Sequence, residues 1–416
     1  MTHVLRHRDF RLLWIGFGTS TIADRMVRVA LILFVTDLTG SPSDVGLVLA
    51  AWMLPFTAFV VLGGVWADRL PRQRVMIGSD LISFALHALL AVLVFTSAVR
   101  IWHVVAIEAC FGTAAAFFRP ALQGLVPQTV PEEDIQPASA LIGVLSNLGE
   151  FVGPALATAL VLGLGAGWAF ALDALTFLVS AGCVARVRAR PRGAPVAHAP
   201  FLADLREGWT AVRSRIWVWA TIGAFSAALL VAYAPWFVLG PVVAREEYGD
   251  LAVYGWVAAM IGLGTVAGTL LGARWRPERP LRLGLLLCLF WPLSIVLYAA
   301  TAPLAVVIAS AVAGGGGLAL FEVWWQTALA QRIPPHQLSR VTSYDYLGSL
   351  TLMPAGYLLA GPVAASLGAR PVLLGGGAVA LGLIALALLP GETRRLRRRG
   401  PEAPVAPLHE PVVPVP

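Results

Sequence analysis

The side chains with most chemistry to offer in this sequence are ionisable residues set inside long apolar runs. Asp24 and Arg28 stand one helical turn apart in the run 12–36, Glu108 lies in the run 101–126, and Glu150 lies in the run 138–164. Charge is costly in an apolar medium, so such residues serve either a solute or proton route or mutual neutralisation. Helix rise puts Arg28 and Glu108 within about 10 Å of the same end of their runs, which makes an Asp24–Arg28–Glu108 cluster an expectation. Glu150 stands near mid-depth without an evident partner, unless an arginine of a neighbouring run reaches it. Asp173 and Asp345 are nearer run ends and read as caps; His87 reads as a lipid-facing or packing residue, and Arg25 has no assigned role. Trp324 and Trp325 are the aromatics expected to line an apolar cavity.

Other chemistries are excluded by what is missing. All 30 basic residues are arginine, so there is no P-loop lysine and no Schiff-base amine. Cys110, Cys183 and Cys288 fall inside apolar runs without CxxC or Cys/His spacing, which argues against a zinc site or a disulfide framework. No nucleophile–base set stands out, so an enzyme, a metal and a cofactor are not expected.

The elements that must position these residues are membrane spans. Hydrophobic residues make up 58% of the 416 and charged residues 13%, against about 45–50% and about 25% in soluble domains. Mean hydropathy is +0.77. Twelve runs are long enough to span: 12–36, 44–66, 74–97, 101–126, 138–164, 168–186, 216–241, 251–273, 281–299, 303–329, 341–366 and 370–389. Gly or Pro interrupts the fifth, tenth and eleventh. The polar, basic start leaves no cleavable leader evident. With the N-terminus inside, 24 arginines fall in inner segments and three in outer loops, so both termini are expected in the cytoplasm. The net charge of +7 therefore reads as membrane orientation, and no nucleic-acid partner is expected.

The division follows from the longest polar stretch. Residues 1–186 form one six-helix half, 187–215 a cytoplasmic linker, 216–390 the second half, and 391–416 a basic, Pro-rich tail read as disordered. Phe201, Leu205, Trp209 and Val212 at helical spacing predict a short helix on the membrane surface within the linker. The halves repeat. At an offset of 203, Gln123 falls on Gln326, Gly112 on Gly315, Gly153 on Gly356 and Arg119 on Glu322. The last pair, at equal depth on the fourth and tenth helices, predicts a salt bridge between halves that forms when the cavity faces outward and breaks when the inside opens, unless each residue finds a partner within its own half. Parallel repeats of this kind belong to secondary transporters, whose substrate site lies between the halves.

Two motifs carry a family resemblance. Gly63-Gly64-Val65-Trp66-Ala67-Asp68-Arg69-Leu70-Pro71-Arg72-Gln73-Arg74 resembles the loop signature of the major facilitator superfamily, with Pro71 and Gln73 as departures. Gly149-Glu150-Phe151-Val152-Gly153-Pro154 resembles its antiporter signature. Further segments, among them Arg8 to Trp14 and Phe118-Arg119-Pro120-Ala121, are similar to the drug and siderophore exporter branch. The fourth helix lacks that family's coupling arginine and carries Glu108 instead.

The resemblance implies an all-α membrane protein of twelve transmembrane helices in two halves related by a pseudo-two-fold axis. It also implies a monomeric, multi-pass permease of a bacterial plasma membrane that exports small amphipathic molecules by proton antiport. Gly64, Asp68, Arg69, Arg72, Arg119 and Glu322 would form an inner gate. Asp24, Arg28, Glu108, Glu150, Trp324 and Trp325 would form the substrate and proton pathway, with Gly149, Gly153 and Pro154 shaping the antiporter helix. The alternatives are an uptake symporter or uniporter and, from another class, a non-transporting membrane receptor.

Overall fold

The computed structural model describes residues 2–188 and 209–398, and the side chains of several of these, Gly64, Asp68 and Arg69 among them, fall outside the description. Most of the linker and the end of the tail also lie outside the described residues, as do Phe201 and Leu205 of the predicted surface helix; positions 209–213 are helical.

Among the described residues the chain forms helices and no strands. In the first half these are α1 (Arg8–Thr39), α2 (Pro42–Arg69), α3 (Arg72–Phe95), α4 (Ile101–Thr129), α5 (Ile135–Gly163) and α6 (Ala166–Ala185). The second half opens with α7, built from Ile216–Ala228, a wide π turn at Leu229–Tyr233 and Ala234–Glu247. It continues with α8 (Ala252–Arg274), α9 (Pro280–Cys288 and Phe290–Ala299), α10 (Leu304–Arg332), α11 (Pro335–Thr351 and Met353–Leu367) and α12 (Ala369–Ala387). Ten of these are long and apolar enough to cross a bilayer. The others are α1, with Asp24, Arg25 and Arg28 at its middle, and the bent α11. A lone helix in lipid satisfies its own backbone hydrogen bonds, which is why such runs become helices.

The breaks are not all where Gly and Pro counting placed them. α5 and α10 run without interruption, whereas α7 widens into a π turn, α9 breaks at Leu289 and α11 parts at Leu352. In α5 the ring of Pro154 is absorbed within the helix, and Thr158 Oγ1 donates to the Pro154 carbonyl at 2.8 Å. The glycines of α10 serve contact instead: a Cβ on Gly315 would stand 1.9 Å from the Ile261 carbonyl oxygen of α8. α1 stops at Gly40, whose φ of 65° and N–H to the Thr36 carbonyl form a left-handed cap.

Each half uses the same pairings: α2 on α4, α3 on α6 and α1 on α5 and α6, then α8 on α10, α9 on α12 and α7 on α11 and α12. The glycines at an offset of 203 do equivalent work. Gly112 faces the Trp52 carbonyl of α2 as Gly315 faces Ile261, and Gly153 seats α5 on α1 as Gly356 seats α11 on α7.

Arg188 N–H donates to Asp9 Oδ1, tying the start of α1 to the end of α6, and Trp217 N–H donates to Glu392 Oε2, tying the start of α7 to the segment after α12. With six helices in each half, the described chain ends therefore lie on one face of the bundle, the terminal face. The halves meet mainly through α2 with α11, α5 with α8, and α1 with α7. Ser43 and Gly46 of α2 pack on Gly361 and Tyr357 of α11 at the opposite face. Arg245 Nη2 donates to Asp37 Oδ1 there at 2.9 Å, joining α7 to α1.

Candidate functional site

The first half carries a column of charge. Near mid-depth, Arg25 Nη1 on α1 and Glu150 Oε1 on α5 lie 2.5 Å apart. Glu150 is thus not the unpartnered carboxylate its position in the sequence suggests; the spacing that places Gly149 and Gly153 against α1 brings Arg25 onto it. Arg28, one turn above, puts its guanidinium 5.9 Å from the Trp52 ring centre, and Asp24 Oδ1 is buried without a hydrogen bond.

Glu108 does not join Asp24 and Arg28 by contact. It points to His87 Nε2, 3.8 Å from its Oε1, while His87 Nδ1 bonds Asp173. His87 and Asp173 are fully buried, so His87 is more than a packing residue and Asp173 is no cap. Sequence reading missed this grouping. Similar depth along three runs was its only signal, and spacing does not reveal which helices are neighbours.

The second half holds a cavity of about 210 Å³ on the inner side of α7, α10 and α11. Phe225, Phe321 and Trp325 supply its flat apolar walls: Phe225 stacks on Phe321 at 4.5 Å and Phe321 on Trp325 at 5.9 Å. Glu322 and Asp345 bring carboxylates to the lining. Trp325 Nε1 donates to Asp345 Oδ2 at 2.9 Å, so Asp345 orients an aromatic wall and is not a helix cap. Trp324 turns the other way. It is buried against Trp275, donates to the Trp275 carbonyl at 3.2 Å, and does not line this cavity.

Arg119 and Glu322 each keep to their own half here. The Arg119 guanidinium lies 5.4 Å from the Phe56 ring centre, and Glu322 Oε1 accepts from Gln326 Nε2 at 2.9 Å. At the terminal face Arg72 Nη1 donates to the Gly124 carbonyl, tying α3 to α4. Gln73, where the loop signature expects a basic residue, donates to the Val184 and Val187 carbonyls at the end of α6, at 2.6 and 3.0 Å. Asp134 accepts from His3 Nε2 at 2.7 Å and from His7 Nε2 at 2.8 Å, pinning the start of the chain below α5. Among the described residues no group of His, Cys, Asp and Glu could hold a metal ion.

The family model described as Major Facilitator Superfamily matches residues 13–349 and, in a second overlapping match, 225–414. Macrolide efflux protein A of Streptococcus pyogenes is 26% identical over 407 residues, covering 93% of this chain and 97% of the relative. The multidrug efflux pump Tap of Mycolicibacterium fortuitum is 26% identical over 398 residues, covering 91% and 94%. Among solved structures, a bacterial homologue of the human lysosomal transporter Spinster, inward-facing and unoccupied, superposes with a TM-score of 0.68 at 16% identity, covering 93% of this chain and 98% of that one. The nucleoside transporter NupG gives 0.71 at 12% identity, covering 92% and 99%. At these identities the structures speak for the fold alone.

Proposed function

The chain belongs to the major facilitator superfamily, and on that premise we propose that it exports small amphipathic molecules across a bacterial plasma membrane in exchange for protons. The substrates would be of the drug, antibiotic or siderophore class. The observation that carries the reading is the cavity walled by Phe225, Phe321 and Trp325 and edged by Glu322 and Asp345. Flat aromatic faces cover an apolar body with little loss of side-chain entropy, and two carboxylates attract a cationic or donor group at its edge. The macrolide and multidrug efflux names of the relatives support export over uptake.

Alternating access is the mechanism this arrangement supports. The α2–α11 and α1–α7 contacts close the opposite face, while the cavity lies towards the terminal face. The arginine bias makes the terminal face cytoplasmic. Substrate would then enter from the cytoplasm, and release outside requires Ser43 and Gly46 to part from Gly361 and Tyr357. Protons moving inward through the charged first half would reset the cycle.

Everted membrane vesicles with an energised, acid lumen test the proposal. Adding a macrolide should dissipate the pH gradient in vesicles bearing the protein, and Trp325→Ala should weaken the response at least tenfold. Gradient-driven accumulation of the same compound in intact cells would overturn export and favour uptake.

A further inference from the structure

Three ionisable side chains from three helices converge where water is excluded. His87 on α3 and Asp173 on α6 have no exposed surface, and Glu108 on α4 has 4%. The rings of Phe111 and Phe177 close over the imidazole, at 4.4 and 5.7 Å between ring centres. His87 Nε2, Glu108 Oε1 and Asp173 Oδ1 all lack a hydrogen-bond partner. A buried polar atom without a partner is expensive, and these three belong to one constellation.

Counting protons shows what could satisfy it. Two carboxylates share one imidazole, so beyond the single N–H of a neutral imidazole the group is neutral with two added protons and negative with one. A net charge sealed from water is costly, so the surrounding charges decide how many protons are held. Those facing the group sit on α1: Asp24 acts on both His87 and Asp173, and Arg28 acts on Glu108. Arg25 and Arg119 act in turn on Asp24. α1 is also the helix that pairs Arg25 with Glu150 and touches α7 of the other half. A shift of α1 against α3, α4 and α6 therefore changes the field that sets the proton count.

We propose that His87, Asp173 and Glu108 form a buried proton-binding site, linked through Asp24 and the α1 arginines to the contact between α1 and α7 of the other half. Uptake moves a proton from a hydronium ion to Glu108 Oε1: one O–H bond of hydronium breaks and leaves water, one O–H bond forms on the carboxylate, and no oxidation state changes. That O–H can donate to His87 Nε2 once the 3.8 Å gap shortens. The role in transport rests on the antiport reading above, whereas proton binding by itself does not.

Infrared difference spectra of the purified full chain, taken across a pH titration, read the site directly. Wild type should show the C=O stretch of a protonated carboxylic acid that persists above the range in which surface carboxylates ionise. Glu108→Gln or Asp173→Asn should remove it, and the exposed control Glu246→Gln should not. Absence of the band, or its survival in both cluster variants, overturns the site. In proteoliposomes His87→Gln should lose gradient-driven export at least tenfold while keeping substrate counterflow, which needs folding and binding but no net proton movement. Export and counterflow that fall together would mark a structural role and overturn the coupling. If wild type moves substrate without dissipating a pH gradient, the antiport reading fails, and the infrared band still decides proton binding.

Discussion

Closure of the opposite face should depend on two missing side chains more than on its visible ion pair. A Cβ at Gly361 would lie 2.5 Å from Ser43 Cα, and one at Gly46 would lie 2.1 Å from the Tyr357 carbonyl oxygen. Carbon atoms rest at about 3.5–4.0 Å, so Gly361→Ala requires α2 and α11 to separate locally by about 1 Å. Overpacking of this kind costs about 1–3 kcal/mol. Here the strain applies only while the opposite face is closed, so it should shift the two-state balance by about fivefold to 150-fold towards the open form. The Arg245–Asp37 pair is weaker: its side chains are 44% and 79% exposed, and such pairs contribute about 0–1 kcal/mol. Spin labels at Leu38 and Glu246, on the two sides of this closure, give the assay. Wild type should show a short separation, Gly361→Ala should add a longer population, and Arg245→Ala should leave the distribution nearly unchanged. A Gly361→Ala variant that expresses normally yet keeps the wild-type distribution, or an Arg245→Ala variant that opens the face as far as the glycine variant does, would refute closure by glycine packing.

Trp325→Ala should raise the transport KM at least tenfold, whereas Trp324→Phe should leave it within about twofold, since only Trp325 lines the cavity; steady-state flux separates the two. Arg25→Ala strands Glu150, and because Glu150 keeps 38% exposure the cost should be about 1–3 kcal/mol, less than for a fully buried pair. Thermal unfolding should show that loss, and the reciprocal Arg25→Glu with Glu150→Arg should recover part of it. Arg119→Glu with Glu322→Arg should restore part of the flux that either single change removes; no recovery argues against a bridge between halves in the other state. Pro195→Cys should resist a membrane-impermeant maleimide in intact cells, and labelling from outside would reverse the topology.

Much of the architecture was legible because lipid makes sequence unusually explicit. A run of about 20 apolar residues has one stable outcome in hydrocarbon, so the spans could be placed from composition and length. The repeat survived translation into contacts for a similar reason. Gly112 and Gly315, or Gly153 and Gly356, mark places where helices approach too closely for a Cβ, and that demand recurs in each half. The antiporter-like stretch at Gly149 and Gly153 was readable as a packing surface, and α1 does lie against it.

What the tertiary structure alone decided was who faces whom. Asp24 and Arg28 share a turn of α1, yet Arg28 lies over Trp52 and Glu108 turns to His87. Arg25, without a role in the sequence, holds Glu150. Trp324 and Trp325 are adjacent in the chain, and a helix turns successive side chains about 100° apart. One therefore packs on Trp275 and the other walls the cavity. Depth along a span follows from counting residues. Azimuth is set by the packing of all the helices together, and in this chain azimuth separates a buried proton site from a packing histidine.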